Sequence, residues 1–228
     1  MQITLDQLLQ ARDNRYAKQV ALTQAWPDRT LVCLTVVLPG PVKRDARSLR
    51  VATAAVPAVR EALSPTYEEL RDLPTGYEGY FLVDLPLLEA KRRCIELENT
   101  HPYGRLMDLD VLEPVATPLS TPASAPTSAA PTAGAPAPTA PSAGAPAQTA
   151  GATATTAGAT ATTAPSAGAA APAGAPSVPV AVIPVSRERV GEPPRRCLLC
   201  DRPARECMRA HTHTPADISA AIDRLLGL

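Results

Sequence analysis

His101-Pro-Tyr-Gly-Arg-Leu-Met-Asp108-Leu-Asp110-Val-Leu112 is the stretch from which the rest of the chain can be placed. A polar turn, His101 to Arg105, runs into a segment with strict alternation. Such a segment is a strand, with Leu106, Asp108, Asp110 and Leu112 on one face and Met107, Leu109 and Val111 on the other. The apolar face can anchor in a core. The other presents two carboxylates roughly 6–7 Å apart at Cα. Paired carboxylates on a rigid strand after a Gly-Arg turn are candidate ligands for a divalent cation in phosphate chemistry. The plainer reading is a half-exposed strand whose outer face is acidic.

Upstream, helices and strands alternate with short connections. Thr4-Leu-Asp-Gln7 is a capping box opening a helix that Trp26-Pro27 ends. Leu5, Leu8, Leu9, Tyr16 and Val20 are its expected apolar stripe, with Arg12, Asp13, Arg15 and Lys18 elsewhere on its surface. Leu31–Leu38 is continuous and β-branched, as in a strand buried on both faces, with Cys33 in the core. Pro39-Gly40-Pro41 forces a turn. Lys43, Arg44, Arg47 and Arg50 then crowd the start of a helix over about 45–63, a candidate phosphate site, with a kink or break expected at Pro57. Residues 64–79 read as a loop and Tyr80–Val83 as a short strand. A third helix follows, capped by Asp84 with Pro86 in its first turn, and ends near Asn99. The order implies an α+β domain with a mixed sheet and flanking helices.

The net charge of +0 hides two kinds of sequence. Between Glu113 and Arg187 there is no charged residue, and most of the stretch is a Pro- and Gly-punctuated run of Ala, Thr and Ser. That composition cannot offset the entropy of ordering, so about 115–177 should be a long disordered Ala/Pro/Thr/Gly-rich loop. The remaining 155 or so residues suffice for one domain. We therefore expect residues 1–114 and 178–228 to form one domain with 115–177 inserted. Val178–Val185 reads as an edge strand because of its prolines, and Thr214-Pro215-Ala-Asp217 caps an amphipathic helix. Balanced charge supports neither nucleic-acid nor membrane-surface binding. There is no signal-peptide pattern and no apolar run long enough to span a bilayer. The five cysteines fit a reducing compartment, so a cytoplasmic location is expected.

Cys197-x2-Cys200-x6-Cys207 is followed by His211 and His213. Three thiolates and one imidazole would complete a structural zinc site. The alternative is three reduced thiols, two of them packed beside Leu198 and Leu199.

Taken together, Ala11-Arg12-Asp13-x-Arg15 with Gln19, Leu34-Thr-Val-Val-x-Pro39-Gly40-Pro41-x-Lys43, Ile95-Glu-Leu-Glu98-x-x-His101-Pro102-x-Gly104-Arg105-Leu-x-Asp108-x-Asp110 and Pro193-Pro-Arg195-Arg196-Cys197-Leu-Leu-Cys200 with Cys207, Arg209 and His213 resemble the apo-citrate lyase phosphoribosyl-dephospho-CoA transferases. The resemblance implies a nucleotidyltransferase-like fold and a nucleotidyltransferase reaction. The donor would be triphosphoribosyl-dephospho-CoA. The acceptor would be a serine of the citrate lyase acyl carrier (gamma) subunit, with diphosphate released. It also implies Mg²⁺ at Asp108 and Asp110, and His213 rather than His211 as the fourth zinc ligand. Gly104 would let backbone approach a phosphate. Arg105 would pair with the triphosphate, and His101 would do the same or act on a proton. Lys43, Arg187, Arg195 and Arg196 are further phosphate candidates, while Arg12 and Arg15 could face the carrier. The turn is Gly-Arg where nucleotidyltransferases usually carry Gly-Ser or Gly-Gly. A third metal carboxylate could be Glu96, Glu98 or Glu188. Two other outcomes stay open: the same transfer onto the malonate decarboxylase carrier, and a non-catalytic carrier-binding or zinc-scaffold module.

Overall fold

Leu31, Val32, Cys33 and Leu34 are all buried, because their strand lies mid-sheet with helices on both sides. The computed structural model describes residues 2–116 and 180–228. The strands are β1 (Thr30–Val36), β2 (Tyr67–Leu73), β3 (Gly76–Val83), β4 (Met107–Ala116) and β5 (Val180–Pro184). They make one sheet in the order β2-β3-β1-β4-β5. The helices are α1 (Leu5–Ala25), α2 (Ala46–Leu63), α3 (Leu87–Thr100), α4 (Ala204–Arg209) and α5 (Pro215–Leu226). All described residues fall in one compact unit. The expected insertion lies almost wholly outside them.

The α+β class holds, but the sheet is not mixed: every adjacent pair is antiparallel. The reason is topological. The crossovers β1-α2-β2 and β3-α3-β4 each join strands that run the same way, and each leaves one place between them. β3 fills the first gap and β1 the second, so no two parallel strands touch.

One face of the sheet carries Val32, Leu34, Phe81, Val83, Leu109 and Val111. It is covered by Val51, Ala55 and Val59 of α2, Ala90 and Cys94 of α3, and Ile222 and Leu226 of α5. Full burial of each of the Val, Leu, Ile and Phe side chains contributes about 1.5–3 kcal/mol. α2 runs unbroken through Pro57. That proline is exposed, so water can satisfy the carbonyl its ring leaves without a donor. The segment read as a loop contains β2. Its sequence Tyr-Glu-Glu-Leu-Arg-Asp-Leu hides an edge strand because charge occupies both faces, a pattern that protects exposed edges from pairing with other chains. Asp84 does not cap α3; it pairs with Arg29, and Pro86 is the N-cap.

The other face carries Leu31, Cys33, Tyr80, Leu82 and Leu112, with Leu22 of α1 against them. The anticipated apolar stripe of α1 is not what docks it: Leu5 is 70% exposed, and Leu9 and Tyr16 are also exposed. Its middle is tied instead to charged residues of the sheet. There Arg15 pairs with Glu78 at 2.8 Å and Lys18 with Glu69 at 2.6 Å.

Candidate active site

Register places the two aspartates. Asp108 sits opposite Thr35 and Asp110 opposite Cys33 on β1. One strand further, Thr35 pairs with Glu78 and Cys33 with Tyr80 on β3. The face under α1 therefore carries two rows, Asp108–Thr35–Glu78 and Asp110–Cys33–Tyr80. Glu78 accepts from Arg15 and from the Tyr80 hydroxyl, 2.8 Å away.

The two aspartates differ in environment. Asp108 is half-exposed, with Arg195 Nη1 3.3 Å from its Oδ1. Asp110 is pushed up to about 6, first by burial and then by the neighbouring charge of Asp108; Lys91 and Arg15 act the other way. A bound cation would relieve that repulsion, so the pair fits a divalent-metal role.

β5 pairs with β4 only from Leu112 onward. α3 completes the free edge before it. Leu109 N–H donates to Glu98 Oε1 at 2.9 Å, and Lys91 Nζ donates to the Leu109 carbonyl at 3.3 Å. Both side chains are buried, and the other Glu98 oxygen accepts from Arg187. Glu98 is thus committed to strand and arginine. Glu96 lies away on the α2–α3 side, and Glu188 forms part of an outer turn. The carboxylate aligned with Asp108 is Glu78, which the sequence reading missed by starting its strand at Tyr80. Extending the alternation two residues back would have found it.

The 3-10 turn Gly104–Leu106 feeds β4. A Cβ on Gly104 would lie 2.3 Å from the Glu98 carbonyl oxygen, so packing against the end of α3 alone demands glycine. Arg195 Nη2 binds this turn through the carbonyls of Gly104 at 3.0 Å, Arg105 at 3.2 Å and Met107. Arg105 in return donates to the Arg196 carbonyl. Arg105, Arg187, Arg195 and Arg196 line a pocket of about 160 Å³ with Glu98 and Glu192. The Arg105 Nε is buried without a partner. Burial, and then the crowding of Arg195, lower its pKa. An anion would answer both the spare donor and the crowded charge.

The remaining candidates fall elsewhere. Lys43 folds back onto the Leu38 carbonyl at 2.7 Å, and burial lowers its pKa. Its loop reaches the turn through Val37 N–H to the Leu106 carbonyl, 2.9 Å. The basic group at the start of α2 is dispersed: Arg44 pairs with Asp72, Arg47 with Asp45 and Asp223, and Arg50 bonds the Tyr103 hydroxyl. His101 caps α3 and accepts the Tyr103 N–H on Nδ1 at 3.0 Å. It lines a separate pocket of about 480 Å³ between α2 and α3, with its pKa lowered by burial. No described hydrogen bond joins it to either aspartate.

Cys197, Cys200, Cys207 and His213 converge, with one ligand atom from each within 4.8 Å of the others. The buried His213 Nε2 has no hydrogen-bond partner. The four form a set that can hold a metal ion. His211 stands outside it.

The family described as apo-citrate lyase phosphoribosyl-dephospho-CoA transferase matches residues 3–123 and 180–227. The chain belongs to this family. A Streptococcus pyogenes protein (serotype M18, strain MGAS8232) named probable apo-citrate lyase phosphoribosyl-dephospho-CoA transferase is 28% identical over 227 residues, 98% of this chain and 85% of the relative. A Citrobacter koseri protein named apo-citrate lyase phosphoribosyl-dephospho-CoA transferase is 26% identical over 232 residues, 98% of this chain and 88% of the relative. A serotype M3 relative from S. pyogenes reaches 40% identity over 113 residues, 48% of this chain and 59% of the relative. The transferase family match thus takes in the Asp108–Asp110 strand, the arginine segment and the Cys/His cluster. Among the described residues, no helix is long and apolar enough to cross a membrane.

Proposed function

We propose that this transferase moves the phosphoribosyl-dephospho-CoA group from its triphosphoribosyl donor onto a serine of the citrate lyase acyl carrier subunit, as a nucleotidyltransferase. The observation that carries the reading is the joining of Asp108 to the four-arginine pocket by Arg195. It sets paired carboxylates beside a site built for polyphosphate.

In this reading the donor triphosphate lies against Arg105 and Arg195, with the Arg105 Nε supplying its unused donor. The serine Oγ bonds to the α-phosphorus as the bond to the departing diphosphate breaks. Mg²⁺ held by Asp108 and Asp110 would neutralise phosphate charge. Asp108 and Asp110 would hold the cation that acidifies the incoming serine hydroxyl, whose proton then passes to water. Arg195 fixes the turn against the strand, and Arg187 is held by Glu98. His101 holds the turn through the Tyr103 N–H. Residues 1–114 and 178–228 make one cytoplasmic domain of nucleotidyltransferase type; the pairing of β4 with β5 supports that division.

The test is incubation of apo carrier with donor and Mg²⁺, followed by intact mass. A mass gain of one prosthetic group is expected, lost in Asp108→Asn and in Asp110→Asn although both variants stay folded. Unchanged transfer in both variants would refute the assignment. Running the malonate decarboxylase carrier beside the citrate lyase carrier decides the acceptor.

A further inference from the structure

The metal-ligand cluster and the arginine pocket share one short hairpin. Arg195 and Arg196 enter it, and Cys197 and Cys200 make its tip. Arg196 bridges to Pro203. Cys197 N–H donates to the Arg202 carbonyl at 2.7 Å, and Ala204 N–H to the Arg195 carbonyl at 2.8 Å. α4 then returns Cys207, and His213 comes from the turn before α5. The hairpin tip has few contacts of its own: Asp201 and Arg202 are exposed and Leu198 is only half-buried. A segment with so little core needs a staple.

The donor chemistry identifies one. Cys200 Sγ and Cys207 Sγ lie 3.4 Å apart as free thiols. Tetrahedral zinc with bonds of about 2.3 Å would hold its sulfurs about 3.8 Å apart. Three sulfurs and one imidazole nitrogen form a closed, four-protein-ligand set, with no position left for substrate. Such a site is structural, not catalytic.

The consequence lies in what the hairpin holds. Arg195, two residues before Cys197, grips the Gly104–Met107 backbone and the Asp108 carboxylate. Arg105 grips the hairpin in return at Arg196. We propose that zinc(II) in the Cys197–Cys200–Cys207–His213 cluster pins Arg195 and Arg196 against the Gly104–Asp108 turn, so that the polyphosphate pocket is complete only in the metal-loaded protein. Arg195 is here a positioning residue. The pocket half of this inference rests on the phosphate reading above; the pinning half does not.

The experiment uses the full chain purified without added zinc. Elemental analysis should find one zinc per folded chain. Zinc is then removed with a chelator under reducing conditions. Backbone hydrogen exchange over residues 104–110 should accelerate at least tenfold, and calorimetric binding of inorganic tripolyphosphate should weaken by at least about tenfold, as expected for a lost charged hydrogen bond. Zinc should restore both, and Mg²⁺ should restore neither. Arg195→Lys should keep one zinc per chain yet lose tripolyphosphate affinity and protection at 104–110. Less than half a zinc per folded chain would overturn the proposal. So would exchange in the chelated protein that quickens over 195–213 while 104–110 stays protected. If the loaded protein fails to bind tripolyphosphate, the phosphate reading falls, and the exchange result still decides the pinning.

Discussion

Replacing Asp110 with asparagine should trade transfer activity for stability, with a dependence on pH that the site itself dictates. Asp110 is displaced from an ordinary 3.8 to about 6. Each pH unit of displacement is worth about 1.4 kcal/mol, so keeping this carboxylate ionised in the fold costs about 3 kcal/mol. Below about pH 4 the group is protonated in both folded and unfolded chains, and no cost arises. Between about pH 4 and 6 the unfolded chain releases the proton while the folded chain keeps it. The folded state then binds more protons, and stability falls as pH rises. Above about pH 7 the loss is complete. Asp110→Asn never ionises, so relative to the wild type it should gain about 3 kcal/mol between pH 4 and 8, whatever its absolute stability. Urea unfolding of both proteins at unit pH steps, without divalent cations, measures this. Asp108→Asn, which removes the second cause of the displacement, should shrink the wild-type pH dependence without abolishing it. A stability difference between the wild type and Asp110→Asn that is flat from pH 4 to 8 would refute the reasoning.

Glu98→Ala should destabilise by about 3–5 kcal/mol in urea unfolding, because it orphans the buried Leu109 N–H and leaves Arg187, only 13% exposed, without its partner. Glu98→Gln keeps an acceptor for Leu109 and should lose less. Gly104→Ala should cost roughly 1–3 kcal/mol or more by the same measurement, since the atoms its Cβ would strike are backbone of α3. Joining residue 117 to 177 through a short turn should leave transfer intact and add about 2 kcal/mol, since each halving of the chain length to be closed lowers the closure cost by about 0.6 kcal/mol. Retained stability with lost transfer would give the insertion a part in the reaction.

What could be read from the chain beforehand was local. The capping boxes at Thr4 and Thr214 are present as their spacing required, because both partners of a capping box lie within one turn. The alternation from Leu106 to Leu112 put Asp108 and Asp110 on one face, since a strand permits nothing else. What could not be read depends on a partner far away in the chain. Leu5, Leu9 and Tyr16 suggested an inward face for α1, but the ion pairs Arg15–Glu78 and Lys18–Glu69 turn that helix another way. Their partners lie more than 50 residues on, in strands that were partly or wholly taken for loop. His101 follows the same rule. The family resemblance gave it a phosphate or proton role; in the fold it caps α3 and lines the pocket between α2 and α3.

The position of the insertion now has a physical explanation. Ala116 and Val180, which flank it, are partners in the β4–β5 ladder, so the inserted chain starts and ends at the same point. Asp108 lies eight residues earlier on β4, and at about 3.3 Å per residue that is about 26 Å from the insertion point. The aspartate end of β4, which the Gly104–Leu106 turn feeds, is thus at the opposite end of the strand from the points where the insertion leaves and returns. The segment beyond β5 must nevertheless run back to the site, because Arg187 and Arg195 meet Glu98 and Asp108 there. It can do so because β5 is short: its last contact with the β4 edge is Val185 N–H to the Val111 carbonyl, and at Leu109 Glu98 and Lys91 take over the hydrogen bonds. Lengthening β5 to cover Leu109 would satisfy the same backbone groups, but it would displace Glu98 and with it the anchor of Arg187. The short edge strand, the buried glutamate and the arginine pocket are therefore one arrangement. The insertion enters at the other end of β4, where Ala116 pairs with Val180 and neither Glu98 nor the arginine pocket is found.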